Sequence, residues 1–339
     1  MTELGISVII TAYNRKQFLP DAINSALHQT LDRYPFEIIV VSNFYVNVSH
    51  FDKSNKIRTF LMDGEMGEFL FAGLSKAKYN VVTFMDDDDT FDQGKFSRIM
   101  EVFISNPELC YYHNGVSYVD YVNRRIDYAR LVEKRYRSIN NKCLILNPKS
   151  STKAIRSALD NSGDFNLSSI SIRKECYLKY LIILNKIKSN PEGFFFWAGI
   201  ISMGQLMIDG LKLTNYRVHE TTESGPLNFK SKAKVVSRQI YTYDLILNFI
   251  DSNPTKYKTT KEIKKWIYLI KYEYELLLSI FNGSSRFSIL LQMGRLLTIG
   301  KGYSNTLKYR IMLFSCIAIV KRSLAQIFYQ KMRMGTAKH

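Results

Sequence analysis

Four consecutive aspartates, Asp86-Asp87-Asp88-Asp89, follow directly on the apolar run Val81-Val82-Thr83-Phe84-Met85. Carboxylates this close repel one another and lower stability unless a cation or hydrogen-bond donors compensate. Oxygen-only ligands of this kind suit Mg²⁺ or Mn²⁺ held jointly with a phosphate. The alternative is a solvated acidic turn that caps the next helix, with Asp89 or Thr90 as N-cap. The preceding run is rich in β-branched and aromatic residues, so it reads as a buried strand. A strand ending in carboxylates sets negative charge at the carboxyl edge of a sheet, where α/β folds hold their ligands.

The elements that must position this run can be read on either side of it. Ile6–Ile10 reads as a strand, and Thr11-Ala-Tyr-Asn14 as the loop after it. Phe18, Leu19, Ala22, Ile23, Ala26 and Leu27 recur at helical spacing. Strands are expected at 36–41 and 56–61, and a helix over about 67–78. Helical periodicity returns at 91–105, at 173–186 and at 193–208, the last opened by Pro191 at a favourable first-turn position. Strands alternating with helices over the first 90 residues predict a mostly parallel, Rossmann-like α/β sheet flanked by helices.

The 339 residues are 46% apolar and 13% aromatic, enough for two domains or one large domain with an appendage. Cys110, Cys143, Cys176 and Cys316 lie far apart without a C-x-x-C pair, so they read as reduced, packed thiols rather than a disulfide framework or zinc site. Met1-Thr2-Glu3-Leu4 runs straight into a strand with no basic or apolar leader, which predicts a cytosolic catalytic face. The net charge of +17 is uneven: Lys230–His339 holds 20 basic and 5 acidic residues, leaving 27 and 25 for the rest. A basic appendage of this kind wants a polyanion, either an anionic membrane surface or a nucleic acid. The charge split places the domain boundary near 225–235, giving 1–228 and a helical, basic 229–339. Within that appendage, Ile263, Trp266, Ile267, Ile270, Tyr274, Leu277, Leu278 and Phe281 form one apolar stripe, read as core packing. Ile311–Val320 is apolar but too short for the roughly 20 residues a membrane span needs, so interfacial contact and ordinary packing stay open.

Several of these segments together resemble family-2 inverting glycosyltransferases. Ser7-Val-Ile-Ile-Thr-Ala-Tyr-Asn-Arg15 is similar to the family's S-V-I-I-P-T-Y-N opening. Gly73-Leu-Ser-Lys-Ala77 followed by Val81–Asp89 is similar to its G-x-x-x-A…F-L-D-x-D-D block, and Tyr216-Arg-Val-His219 to its R-x-H ending. The likeness spans roughly residues 4–225 and keeps the order of the motifs. It implies a GT-A fold, a nucleotide-diphosphate-sugar donor and a divalent cation, Mn²⁺ or Mg²⁺. On that resemblance Thr11, Tyr13, Asn14 and Arg15 are expected to contact the nucleotide-sugar, Asp86 and Asp87 the ribose or the ion, and Asp88 the metal. His219 is expected as a further metal ligand, or else as a loop histidine bonded to backbone. Inversion needs one general base to take the acceptor hydroxyl's proton. By placement in Asn190-Pro-Glu-Gly193 that base is Glu192, with Asp160, Asp164 and Asp209 as fallbacks; the plain alternative is a helix-terminal acid.

The chain departs from the family at two places that bear on the donor. Ser42-Asn43 stands where the family's second strand ends in acids, so Asn43 would meet a base edge without charge. The helix before Gly73 lacks the family's A-R-N arginine, and the metal, with Lys76 or Lys78, is expected to compensate at the pyrophosphate. The leading expectation is metal-dependent, inverting transfer of a sugar to a hydroxyl acceptor, a lipid-linked glycan or polysaccharide, by an enzyme held peripherally at an anionic membrane. A polyprenyl-phosphate glycosyl synthase and a non-catalytic scaffold of the same fold are the alternatives. Nucleic acid is the weaker partner, because no helix-turn-helix, RRM or zinc pattern accompanies the basic residues.

Overall fold

The computed structural model of the chain describes residues 3–31, 33–49, 51, 55–126, 143–147, 155, 157–159, 163–219, 229–253, 259–299 and 316. Two compact units divide them, with the boundary between Val218 and His219. The apolar run 311–320 and the fallback carboxylate Asp160 lie outside the described residues.

The first unit is built on β1 (Glu3–Ala12), β2 (Phe36–Ser42), β3 (Ile57–Leu61), β4 (Tyr79–Asp86), β5 (Thr90–Phe91), β6 (Leu109–Val119), β7 (Cys143–Leu146), β8 (Ile170–Arg173) and β9 (Gln205–Arg217). They form one sheet in the order β3-β2-β1-β4-β8-β6-β9-β5, with β7 paired to β9. β3, β2, β1 and β4 are mutually parallel, as the alternating pattern predicts. β8 then runs antiparallel between β4 and β6, while β9 returns parallel to β6. The inner parallel strands β1, β2 and β4 are apolar runs rich in β-branched residues, buried because helices cover both faces, whereas the edge strand β3 is largely exposed. α1 (Leu19–Leu27) and α3 (Lys95–Ser105) pack Leu19, Ala22, Ile23, Phe96, Ile99 and Phe103 into one core with β1 and β2. α2 (Met66–Lys76) crosses β1 so closely that a Cβ on Gly73 would meet Ile9 Cγ2 at 2.5 Å. That contact explains the glycine.

Three helical expectations are corrected. Over 91–105 the helix begins only at Lys95: Thr90–Phe91 pairs with β9, and Gly94 takes the left-handed region. Over 173–186 the backbone is β8, then a 3₁₀ segment Lys174–Tyr180, then one α-turn Leu181–Leu184. Buried Tyr177, Tyr180 and Ile183 are spaced by three, a period that 3₁₀ geometry satisfies as well as an α-helix does. Over 193–208 the helix α4 (Pro191–Ile201) stops early, because Met203 is left-handed and β9 starts at Gln205. A Cβ on Gly204 would lie 2.1 Å from Cys110 Sγ, so the turn into β9 admits only glycine.

The cysteine expectation is corrected as well. Cys110 and Cys176 form a disulfide with Cα atoms 5.9 Å apart, while Cys143 and Cys316 are free and exposed. β6 and the 3₁₀ segment bring together two residues 66 apart in sequence, which spacing alone does not reveal.

The described part of the second unit is helical, as expected for the appendage: α5 (Phe229–Ser252), α6 (Thr259–Asn282) and α7 (Arg286–Ile299). α5 packs on α6 and α6 on α7. Tyr243 stacks on Tyr274 at 5.7 Å, and Lys271 pairs with Asp244 at 2.5 Å. Ile263, Ile267, Ile270 and Phe281 of the apolar stripe are buried. Among the described residues, no helix is long and apolar enough to cross a membrane.

Candidate active site

Parallel register sets the site. Thr11 of β1 is level with Asp86 of β4, and Ala12 is level with Ser42 of β2. The loops that leave β1, β2 and β4 therefore emerge at one edge, the carboxyl edge of the sheet. Thr11 itself is buried in the strand, whereas Tyr13 is half exposed. Asn14 takes a left-handed conformation, and its amide donates to Asn43 Oδ1 at 2.9 Å. Asn43 Nδ2 donates back to Asn14 Oδ1 at 2.8 Å. The two asparagines thus tie the β1 and β2 loops where the family carries acids on the second strand.

The acid run divides by role. Asp87 turns toward the β1 loop, where it accepts the Tyr13 amide at 3.3 Å and one arm of the Arg15 guanidinium at 2.5 Å. The other arm reaches Asp88 Oδ2 at 2.5 Å. Asp86, Asp88 and Asp89 instead converge, each offering an oxygen within 4.8 Å of the others. Asp87 and His219 stand outside that group, and Asp89, which the motif reading did not single out, completes it.

Buried like charges leave their mark on acidity. Burial holds the Asp86 carboxyl well above its usual range, reinforced by Asp89, Asp88 and Glu192 and opposed by Arg15. Burial pushes Asp87 up to about 7, against the pull of Arg15. Asp89 also rises to about 7, through burial and then Asp88. Its Oδ1 accepts the Arg217 amide at 3.0 Å, while Oδ2 is buried with no donor in hydrogen-bonding geometry. A group of carboxylate oxygens that is desolvated, mutually repelling and partly orphaned fits a hard divalent cation.

Three residues given no role in the sequence reading hold the run in place. The Ser168 hydroxyl accepts the Asp86 amide at 2.9 Å. Lys95 Nζ donates to Ser168 O at 2.5 Å and to Thr214 Oγ1 at 2.9 Å, and burial drives it well below its ordinary value despite Asp89. Arg217 is fully buried: Nε donates to Asp88 O at 2.8 Å, Nη1 to Tyr121 O at 2.6 Å and Nη2 to Asp21 at 3.0 Å. Arg217 was visible in the sequence as the R of R-x-H. A lysine on the buried face of α3 and a serine in a 3₁₀ turn carried no such signal.

The remaining candidates separate clearly. Glu192 lies in the first turn of α4, entered through left-handed Asn190, whose Oδ1 accepts the Gly193 amide at 3.3 Å. Its charge acts on Asp86, so it faces the acid group from another element. Asp209 is engaged elsewhere by Arg98 at 2.9 Å and the Tyr112 hydroxyl at 3.1 Å. Asp164 is half-buried in the turn before the 3₁₀ segment that carries Ser168. The expectation that Lys76 or Lys78 serves a pyrophosphate fails. Both precede β4, a strand length of about 25 Å from Asp86, and Lys78 pairs with Glu3 there at 2.9 Å. Arg15 is the cation whose guanidinium pairs with the carboxylates of the run, at Asp87 and Asp88.

Comparison with known proteins agrees with this architecture. The model of the family described as "Glycosyl transferase family 2" matches residues 7–161. An uncharacterized glycosyltransferase of Nostoc sp. is 33% identical over 140 residues, which covers 37% of this chain and 41% of that protein. The chain therefore spans less than half of the Nostoc relative's length. An uncharacterized glycosyltransferase of Haemophilus influenzae is 23% identical over 266 residues, covering 71% of this chain and 74% of that protein. Crystal structures of S. aureus TarS residues 1–349 superpose with TM-scores of 0.59 with UDP and 0.60 with UDP-GlcNAc, at 11% and 12% identity. Both alignments cover 99% of this chain and 93% of theirs, a likeness of fold. On its motifs, its sheet and this match, residues 7–161 are similar to glycosyl transferase family 2, and the chain shares the GT-A fold of the TarS structures.

Proposed function

We propose that the chain transfers a sugar from a nucleotide-diphosphate donor to a hydroxyl acceptor, with inversion and with a divalent cation. The observation that carries this reading is the convergence of Asp86, Asp88 and Asp89 beside the Arg15 fork at the carboxyl edge of the sheet. Asp86, Asp88 and Asp89 would hold Mn²⁺ or Mg²⁺. Bound there, the cation would act as a Lewis acid that offsets charge on the departing diphosphate. Arg15 neutralises Asp87 and Asp88 and supplies the fixed positive charge nearest the same edge. Thr11, Tyr13 and Asn14 line the approach to the donor, and Asn43 offers an uncharged amide to the nucleobase. That crystal structures of TarS hold UDP and UDP-GlcNAc supports a nucleotide-sugar as donor.

Glu192 is the general base. It enters from α4, separate from the strand that carries the acids, and takes the proton of the acceptor hydroxyl as oxygen attacks the anomeric carbon. The electron pair of the sugar–phosphate bond leaves with the diphosphate. The catalytic domain spans 1–228, and the acceptor is a lipid-linked glycan or polysaccharide reached from the cytosolic face of a membrane. Nuclear magnetic resonance of the product tests the reading: an α-linked nucleotide-sugar should yield a β-linked product, with nucleoside diphosphate released in equal amount. An α-linked product would remove the single-base mechanism. Donor consumption with polyprenyl phosphate as sufficient acceptor would move the enzyme to the synthase class.

A further inference from the structure

The second unit carries an exposed apolar stripe on its helix α7. α7 packs on α6 and buries Ile289 and Met293. At about 100° per residue these two share one side of the helix. On the opposite side stand Phe287 and Leu291, exposed by 75% and 48%, with Leu290, exposed by 53%, on the flank beside them. Gly294 continues that side, with open space in front of it. A helix in a globular unit ordinarily turns polar residues outward there. α7 is apolar on both sides, and the outer stripe marks a docking surface. Arg286 and Arg295, both exposed, flank it.

Charge selects the occupant. Glu275 is the last acidic residue of the chain, and the 64 residues after it hold ten Lys or Arg and no Asp or Glu. A second copy docked about a two-fold axis would set the same stripe against itself and bring the arginine rims together, which like-charge repulsion opposes. A nucleic acid would complement the charge but leave the leucines against water. An anionic lipid surface complements both features at once. We propose that the outer face of α7 seats in the interface of an anionic membrane. Phe287, Leu290 and Leu291 enter the acyl boundary and the flanking arginines meet lipid phosphates. Among the described residues no helix is long and apolar enough to cross a membrane. This inference does not depend on the donor or the metal, and it stands or falls separately from the proposed reaction.

Flotation of the full chain with vesicles tests it. Binding is expected to vesicles of phosphatidylglycerol in phosphatidylcholine, weakened by added salt, and not to phosphatidylcholine alone. The triple variant Phe287→Ser/Leu290→Ser/Leu291→Ser should lose at least about tenfold in vesicle affinity. Its melting temperature and its rate of donor hydrolysis in solution should stay at wild-type values, because these side chains face solvent. Arg286→Gln should weaken binding a few-fold, the effect of one basic residue near an anionic surface. The proposal is overturned by absence of binding to the anionic vesicles, or by a triple variant that binds like the wild type. A concentration-dependent dimer that the same triple variant dissolves would assign the stripe to self-association instead.

Discussion

Replacing Arg217 by methionine should unfasten the acid run from the strand beside it. The guanidinium holds two main-chain carbonyls closely, Asp88 O and Tyr121 O, a third, Asp120 O, at 3.5 Å, and one carboxylate, Asp21, which is half exposed and readily rehydrated. Each hydrogen bond from a charged donor contributes about 1.5–3 kcal/mol, so the two carbonyl bonds set an upper range of about 3–6 kcal/mol. Tyr121 lies on an exposed turn where water can replace part of the loss, and methionine keeps the apolar stem against the Phe18 ring, 4.7 Å from the guanidinium. A destabilisation of about 2–4 kcal/mol remains. For a unit of this size that is a fall in melting temperature of about 5–15 °C. Circular dichroism melts of wild type and Arg217→Met in chelator-treated buffer measure it directly. Arg217→Lys should recover only part, since one ammonium cannot reproduce three diverging bonds. A loss under about 1 kcal/mol in the methionine variant would refute the assignment of Arg217 as the brace of the site.

Asp88→Asn should abolish sugar transfer while leaving metal-free nucleotide binding nearly unchanged, as nucleotide titrations with and without Mn²⁺ would report. Glu192→Gln should keep donor affinity and cut turnover by a factor of about 10²–10⁴; unchanged turnover would shift the base to another carboxylate. Asp87 and Asp89 titrate near 7 in the fold against 3.8 as the ordinary value, so the folded chain binds more protons between those limits. Stability of the metal-free protein should therefore fall as pH rises from about 4 to about 7 and level off above, at about 1.4 kcal/mol per unit for each group. Mn²⁺ should remove most of that fall, because it binds the deprotonated carboxylates. Melting temperatures at pH 5 and pH 8 with and without Mn²⁺ check it; equal pH dependence in both series would count against a cation at this group.

Much of the parallel half of the sheet was legible because its strands are uninterrupted β-branched runs and its helices carry clean 3.6-residue stripes. The other half was not. β6 carries Tyr111, Tyr112, His113 and Asn114, all buried, and such a mixture shows neither alternation nor a simple apolar run. In 193–208 the apolar residues of α4 resume in β9 after only Ser202-Met-Gly-Gln205, where left-handed Met203 and crowded Gly204 mark the change. In the site, Asp86–Asp88, Arg15 and Glu192 were visible as motif residues. Their division of labour was not, because it depends on which way each carboxylate turns. Arg15 draws Asp87 out of the group and Arg217 presents Asp89 to it. The error over Lys76 and Lys78 has the same origin: sequence proximity to Asp86 concealed a full strand length in space.

The central claim is that the acid run binds a divalent cation together with a diphosphate. Calorimetric titration of UDP into the full chain, in chelator-treated buffer and again with saturating Mn²⁺, tests it most directly. The account predicts that Mn²⁺ strengthens nucleotide binding at least about tenfold, or about 1.4 kcal/mol, and that Asp88→Asn erases the difference. Equal UDP affinity with and without Mn²⁺ and Mg²⁺, in wild type and variant alike, would contradict it.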